Sequence, residues 1–159
     1  MTPEKPWFEL YRYWLGKHAS GRPPARADLD PPLEIPTLVA RLMLVELVAG
    51  EFMYRLVGSE VARYLATEVT GRVVGGSAWA PDQVRSEWRR MIRTVADLQR
   101  PHMAITLPSP GNNRTGFCLA LPLVDRVGAT EQVLIGIFSD RHGFGSKELD
   151  GIEVFEFAP

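Results

Sequence analysis

The sequence predicts an α+β domain: a single antiparallel five-stranded sheet with helices across one face, preceded by an amphipathic N-terminal helix. Three observations carry this prediction. Short apolar, strand-like runs follow one another across tight turns, which makes hairpins and therefore antiparallel pairing. A long segment with helical apolar spacing separates the first two such runs from the last three. One more helical segment stands at the front, followed by a proline-dense stretch.

Taken in order, residues 6–18 read as the leading helix. Trp7, Leu10, Tyr11, Trp14 and His18 share one face, and Pro6 suits a first helical turn. The stretch "GRPPARADLDPPLEIP" at 21–36 is too rich in proline for a regular element and reads as a stiff, extended connector. Strands are expected at 42–48 and 52–57, joined through Ala49-Gly50-Glu51. Strict alternation in the second would set Phe52, Tyr54 and Leu56 on one face and Arg55 on the other, so Tyr54 and Leu56 are expected inside. Ser59 is a candidate N-cap for a short helix over 60–67, which Gly71 follows and "GRVVGGSAWAP" continues as a loop. Pro81 and Asp82 open a longer helix to residue 98, with Val84, Trp88, Met91, Ile92, Val95 and Leu98 as its inward stripe and Pro101 as its stop. The remaining strands are expected at 102–107, 117–124 and 133–138, the last two buried on both faces. The final "ELDGIEVFEFAP" reads as a tail with a brief strand or helical turn.

At 159 residues the chain makes one domain with a peripheral segment, large enough to bury a core without a disulfide or metal. Residues 1–36 hold the helix and connector, 37–145 the domain proper, and 146–159 the tail. The 18 basic and 19 acidic residues nearly balance, which leaves no basic excess for nucleic acid. The one cysteine, Cys118, permits neither an internal disulfide nor a cysteine-based zinc site. The start lacks the basic-then-apolar pattern of a signal peptide. The most apolar run, 42–49, is short and broken by Glu46, so no membrane span is expected and the expected location is the cytoplasm.

The segments "LYRYWLGK", "PARADLDPPLEIPTLVARLMLVEL", "YRLVGSEV" and "EVTGRVV", set in this element order, resemble the PAS domain family. The closer resemblance is to short single-domain bacterial PAS proteins with a leading helix, and it covers roughly residues 7–140. It implies a sensory or adaptor module with a cleft between sheet and helices, signalling through a partner protein and, in related domains, dimerising through the leading helix. The expected dimer interface is then Trp7, Leu10, Tyr11 and Trp14, whose apolar surface must pack either on the sheet or against a second copy. No separate output domain is expected in the sequence.

The expected cleft wall is Tyr54, Leu56, Tyr64, Leu65, Trp88, Met91, Ile92 and Val95, with Leu119, Leu121 and Ile135 from the sheet. Tyrosine and tryptophan tips in an apolar cavity suit a small, largely apolar organic ligand. The same side chains would equally fill a solid core. Haem needs an axial ligand, and none of His18, His102 or His142 lies on the long helix, where the family's haem sites carry theirs. Flavin photochemistry in the family needs a cysteine in a helical motif, whereas Cys118 is in a strand. Neither haem nor flavin is expected.

No catalytic residue is assigned. "SDRHGF" at 139–144 places Ser, Asp and His side by side, which is not convergence in space. "GNNRTG" at 111–116 has no strand-loop-helix setting for phosphate and reads as a polar turn. The arginines of "RSEWRRMIR" read as the solvated face of the long helix. The alternative from another class is a small α+β cone enzyme, such as an isomerase of apolar small molecules. It would need an inward strand carboxylate, for which Glu46 is the candidate.

Overall fold

The computed structural model describes residues 5–65, 68–74, 82–104, 116–138 and 151–157. Four α-helices and six strands are present there: α1 (Pro6–Gly16), α2 (Pro31–Glu34), β1 (Leu42–Val48), β2 (Glu51–Val57), α3 (Ser59–Leu65), α4 (Asp82–Leu98), β3 (His102–Ala104), β4 (Phe117–Val124), β5 (Thr130–Phe138) and β6 (Glu153–Phe155). The strands form one sheet in the order β2-β1-β5-β4-β3-β6. The five expected strands pair antiparallel. The sixth, in the tail, adds to β3 in parallel.

β1 and β2 are joined by a two-residue turn in which Ala49 and Gly50 both take positive φ, 50° and 83°. That turn matches the twist of a hairpin. Segment 71–74 then returns along the free side of β2: Tyr54 N–H donates to the Arg72 carbonyl (3.0 Å) and Val74 N–H to that of Phe52 (2.8 Å). What reads as loop in the sequence thus closes a sheet edge. Gly58, not Ser59, caps α3, because its carbonyl accepts the Ala62 N–H at 2.9 Å.

Both faces of the sheet are covered, which is why all eight residues of β4 are buried. α3 and α4 lie on one face; α1 and the connector lie on the other. The apolar stripe of α1 is spent within its own chain: Trp7, Leu10, Tyr11 and Trp14 pack with Leu44, Leu119, Leu121 and Leu134 of the sheet. Trp14 Nε1 donates to the Pro122 carbonyl across 2.9 Å in a buried hydrogen bond. Of the two destinations open to this stripe, the structure takes the sheet, and the stripe is not left exposed for a second copy. Gly136 makes the close approach feasible, since a Cβ there would stand 2.6 Å from Leu10 Cδ2.

The connector is more ordered and more deeply buried than its prolines suggest. It contains a 3-10 turn at Arg26–Asp28, the single-turn helix α2 and a second 3-10 turn at Pro36–Arg41. Pro31 and Pro32 occupy the first turn of α2, where no N–H is needed, and Asp30 caps it. Leu29, Ile35 and Leu38 are buried against the sheet. Tyr13 ties the connector to α1: its hydroxyl donates to Glu34 and accepts the Asp30 N–H, both at 2.8 Å, and Lys17 pairs with Glu34 at 2.7 Å. The Lys17 and Tyr13 hydrogen bonds hold the Glu34 carboxyl below its usual range.

Residues 139–144, most of 111–116, residues 105–107, 67 and 81 and the Val84 side chain lie outside the described residues.

Candidate functional site

The helix-facing side of the sheet is built from Met43 and Val45 of β1, Phe52 and Tyr54 of β2, Ala104, Cys118 and Ala120 of β3 and β4, and Val133 and Ile135 of β5. Across from it stand Val61 and Leu65 of α3 and Trp88, Met91, Ile92 and Val95 of α4. The bulk of α4 meets small side chains at the centre of the sheet, where Cys118 Sγ lies 3.6 Å from Met91 Sδ. Large side chains of α4 thus stand against small ones of the sheet.

Polar contacts fix α4 at both sides. Thr130 Oγ1 donates to the Ala96 carbonyl (2.6 Å), and Gln99 Nε2 to that of Gly128 (2.7 Å). Arg93 donates to the Gly50 carbonyl (3.0 Å) and stacks over Phe52; Arg89 pairs with Glu51 at 3.3 Å. Arg90 donates to the Glu156 carbonyl and lies over the Phe155 ring. The arginines of α4 therefore anchor the helix as well as facing water.

Seven of the residues expected in the cleft wall are brought together here: Tyr54, Leu65, Trp88, Met91, Ile92, Val95 and Ile135. Tyr64 packs at the margin, partly buried. Leu56, Leu119 and Leu121 are elsewhere. A bulge in the hairpin pairs Leu44 with Leu56 but Val45 with Tyr54, so Arg55 is the extra residue. The bulge breaks alternation and turns Leu56 to the other face, 55% exposed. Leu119 and Leu121 point to the α1 side, leaving Cys118 and Ala120 beneath α4.

Two polar atoms interrupt this apolar layer. Tyr54 Oη and Trp88 Nε1 are buried and have no hydrogen-bond partner among the described residues. Each such orphan costs roughly 1–3 kcal/mol. Burial alone pushes the Tyr54 hydroxyl pKa upward.

Glu46 pairs with Arg55 at 2.7 Å and is not among the residues of this layer, so it is not the inward carboxylate a cone isomerase would need. His18 Nδ1 donates to the Trp14 carbonyl (3.2 Å), and the ring packs edge-on against the Trp14 ring. His102 is buried at the β3 edge, with Nδ1 2.7 Å from the Arg100 carbonyl and Nε2 3.2 Å from Glu153. Among the described residues no three His, Cys, Asp or Glu side chains gather as a metal site.

The buried Cys118 thiol and the partly buried Tyr13 hydroxyl give an alkaline signature. Burial pushes the Cys118 thiol from 9.0 up to about 12. Burial and the Glu34 hydrogen bond raise the Tyr13 hydroxyl to about 12. In each the folded pKa exceeds the unfolded one, so the stability is fully present below the unfolded value and is lost as pH rises toward the folded value. Thermal melts should hold level to about pH 9 and then fall, by about 1.4 kcal/mol per pH unit for the buried Cys118 thiol and by less for the solvent-screened Tyr13 hydroxyl. Cys118→Ala should move the onset to about pH 10, where the tyrosines begin to titrate in the unfolded chain. An onset unchanged by that substitution would contradict the burial of the thiol.

Comparison with known proteins agrees with this architecture. A family model described as "PAS domain" matches residues 3–138. The fold is similar to a solved structure of the PAS domain from Bordetella pertussis BvgS, with a TM-score of 0.52 and 14% sequence identity, over 76% of this chain and 92% of that one. At that identity the likeness concerns the fold alone. No curated protein sequence matches the chain.

Proposed function

The chain belongs to the PAS domain family, and we propose that it is a sensory module that holds a small organic ligand between its sheet and α3–α4 and signals through contacts with another protein. The family is one of sensing and signalling domains. The observation that carries the ligand is the pair of buried polar atoms, Tyr54 Oη and Trp88 Nε1, that find no partner among the described residues of an otherwise apolar layer. Both are donors, so the ligand that suits them has an apolar body and at least one acceptor oxygen or nitrogen. Binding would act by shifting α4, whose arginines contact both the β1–β2 turn and segment 152–157. Among the described residues no helix is long and apolar enough to cross a membrane.

The test compares the native mass of the purified protein with its denatured mass, alongside Tyr54→Phe. The expected result is added mass in the native wild type that denaturation removes, and reduced retention in the variant. Tyr54→Phe should meanwhile raise the stability of ligand-free protein by about 1 kcal/mol, because it deletes an orphan hydroxyl rather than a hydrogen bond. A native mass equal to the denatured one, with Tyr54→Phe destabilising, would mean a closed core whose hydroxyl is already satisfied.

A further inference from the structure

A second site lies on the opposite face of the sheet. Beneath the connector is a pocket of about 300 Å³. Leu29 and Pro31 form one wall, Leu44, Leu123 and Leu134 the other, and Leu56 stands at the rim. Arg26 supplies the one polar side chain among its described lining residues.

Arg26 donates to the Leu29 carbonyl at 3.0 Å, which holds the guanidinium at the pocket, and it meets no carboxylate among the described residues. The neighbouring acids are engaged elsewhere. Asp28 accepts the Ala25 N–H at 2.9 Å, Asp30 the Leu33 N–H, and Glu34 pairs with Lys17. The result is a cation with no counter-ion among the described residues, beside an apolar hollow.

We propose that this pocket binds an amphipathic organic anion, a carboxylate with a medium-length hydrocarbon body. The hydrocarbon would lie along the leucines and the carboxylate would pair with Arg26, whose fork of donors suits it. The volume is at the small end of the range for ligand sites, which fits a chain of about eight carbons. A peptide fits less well, because its amides would find almost no polar partner in this lining. The pocket is separate from the layer around Tyr54 and Trp88 and does not depend on a ligand there.

The test is titration of the ¹⁵N-labelled full chain with sodium octanoate, with octan-1-ol as the uncharged probe. Expected are saturable amide shifts at Leu29, Leu56 and Leu134. Arg26→Gln should weaken octanoate about tenfold and leave octan-1-ol unchanged. Leu56→Glu alters an exposed side chain, so the fold should persist, and it should weaken octanoate by about tenfold or more through charge repulsion at the rim. If Arg26→Gln disturbs the connector, Leu56→Glu carries the test alone. Shifts that do not saturate, equal octanoate affinity in wild type and Leu56→Glu, or shifts confined to the Tyr54–Trp88 cleft would each overturn the assignment. The last of these would leave the cleft reading standing.

Discussion

Gly58→Ala should lower the free energy of unfolding by about 3 kcal/mol, the upper range for overpacking. The backbone of Gly58 takes no left-handed conformation, so the reason is space. An added Cβ would stand 2.6 Å from the Val39 carbonyl oxygen and closer still to that of Ala40. Both obstacles are backbone, which cannot swing aside as a side chain can. Gly58 also donates its N–H to the Leu42 carbonyl (2.8 Å) and accepts the first hydrogen bond of α3. Relief of the clash would therefore disturb three elements: the 3-10 turn at Pro36–Arg41, the start of β1 and the start of α3. Urea unfolding followed by tryptophan fluorescence reads the loss. A change below about 0.5 kcal/mol, the usual size for an unconstrained surface position, would show that the approach is looser than described.

Trp14→Ala should cost about 4 kcal/mol, in the range for removing a buried aromatic side chain, with the Pro122 hydrogen bond lost as well. A protein with a typical margin of 5–15 kcal/mol would be left marginally folded by it. The loss should be the same at every protein concentration, because Trp14 packs within its own chain. A stability that rises with concentration in the wild type and no longer does so in the variant would mean that α1 belongs to an interface between two copies. Trp14→Phe serves if the alanine variant does not fold; it removes the indole donor and one ring of packing, for about 2 kcal/mol.

The order of elements was legible because helix and strand periods alternate cleanly along the chain, and β1 and β4 fall where their apolar runs place them. Trp88, Met91, Ile92 and Val95 were legible as one helical face for the same reason. Faces within the sheet were not. Where both sides of a strand are buried, apolar character no longer says which way a residue points, and Leu119 and Leu121 went to the wrong side on that account. Size does carry the signal. Cys118 and Ala120 alternate with the leucines, and the bulky stripe of α4 needs small side chains opposite it. Leu56 was misplaced by the bulge at Arg55, since alternation holds only while the ladder is unbroken. The prolines of 21–36 pointed to an irregular link, yet Leu29, Ile35 and Leu38, spaced through it, bring it down onto the sheet. For β6 the sequence leaves a brief strand and a helical turn both open, because three residues carry no period, and its pairing with β3 joins parts of the chain far apart in sequence.

That last strand has a mechanical consequence. Segment 152–157 is fastened to the sheet at one end and to α4 at the other. Glu153 meets His102 and Arg100, while Phe157 rests on Trp88 and the Glu156 carbonyl receives Arg90. The helix cannot roll about its axis without dragging this segment, and the segment cannot peel from β3 without unloading the helix. The two are geared together, so a displacement that began at Trp88 in the interior would reach the rim of the sheet, at its outermost strand.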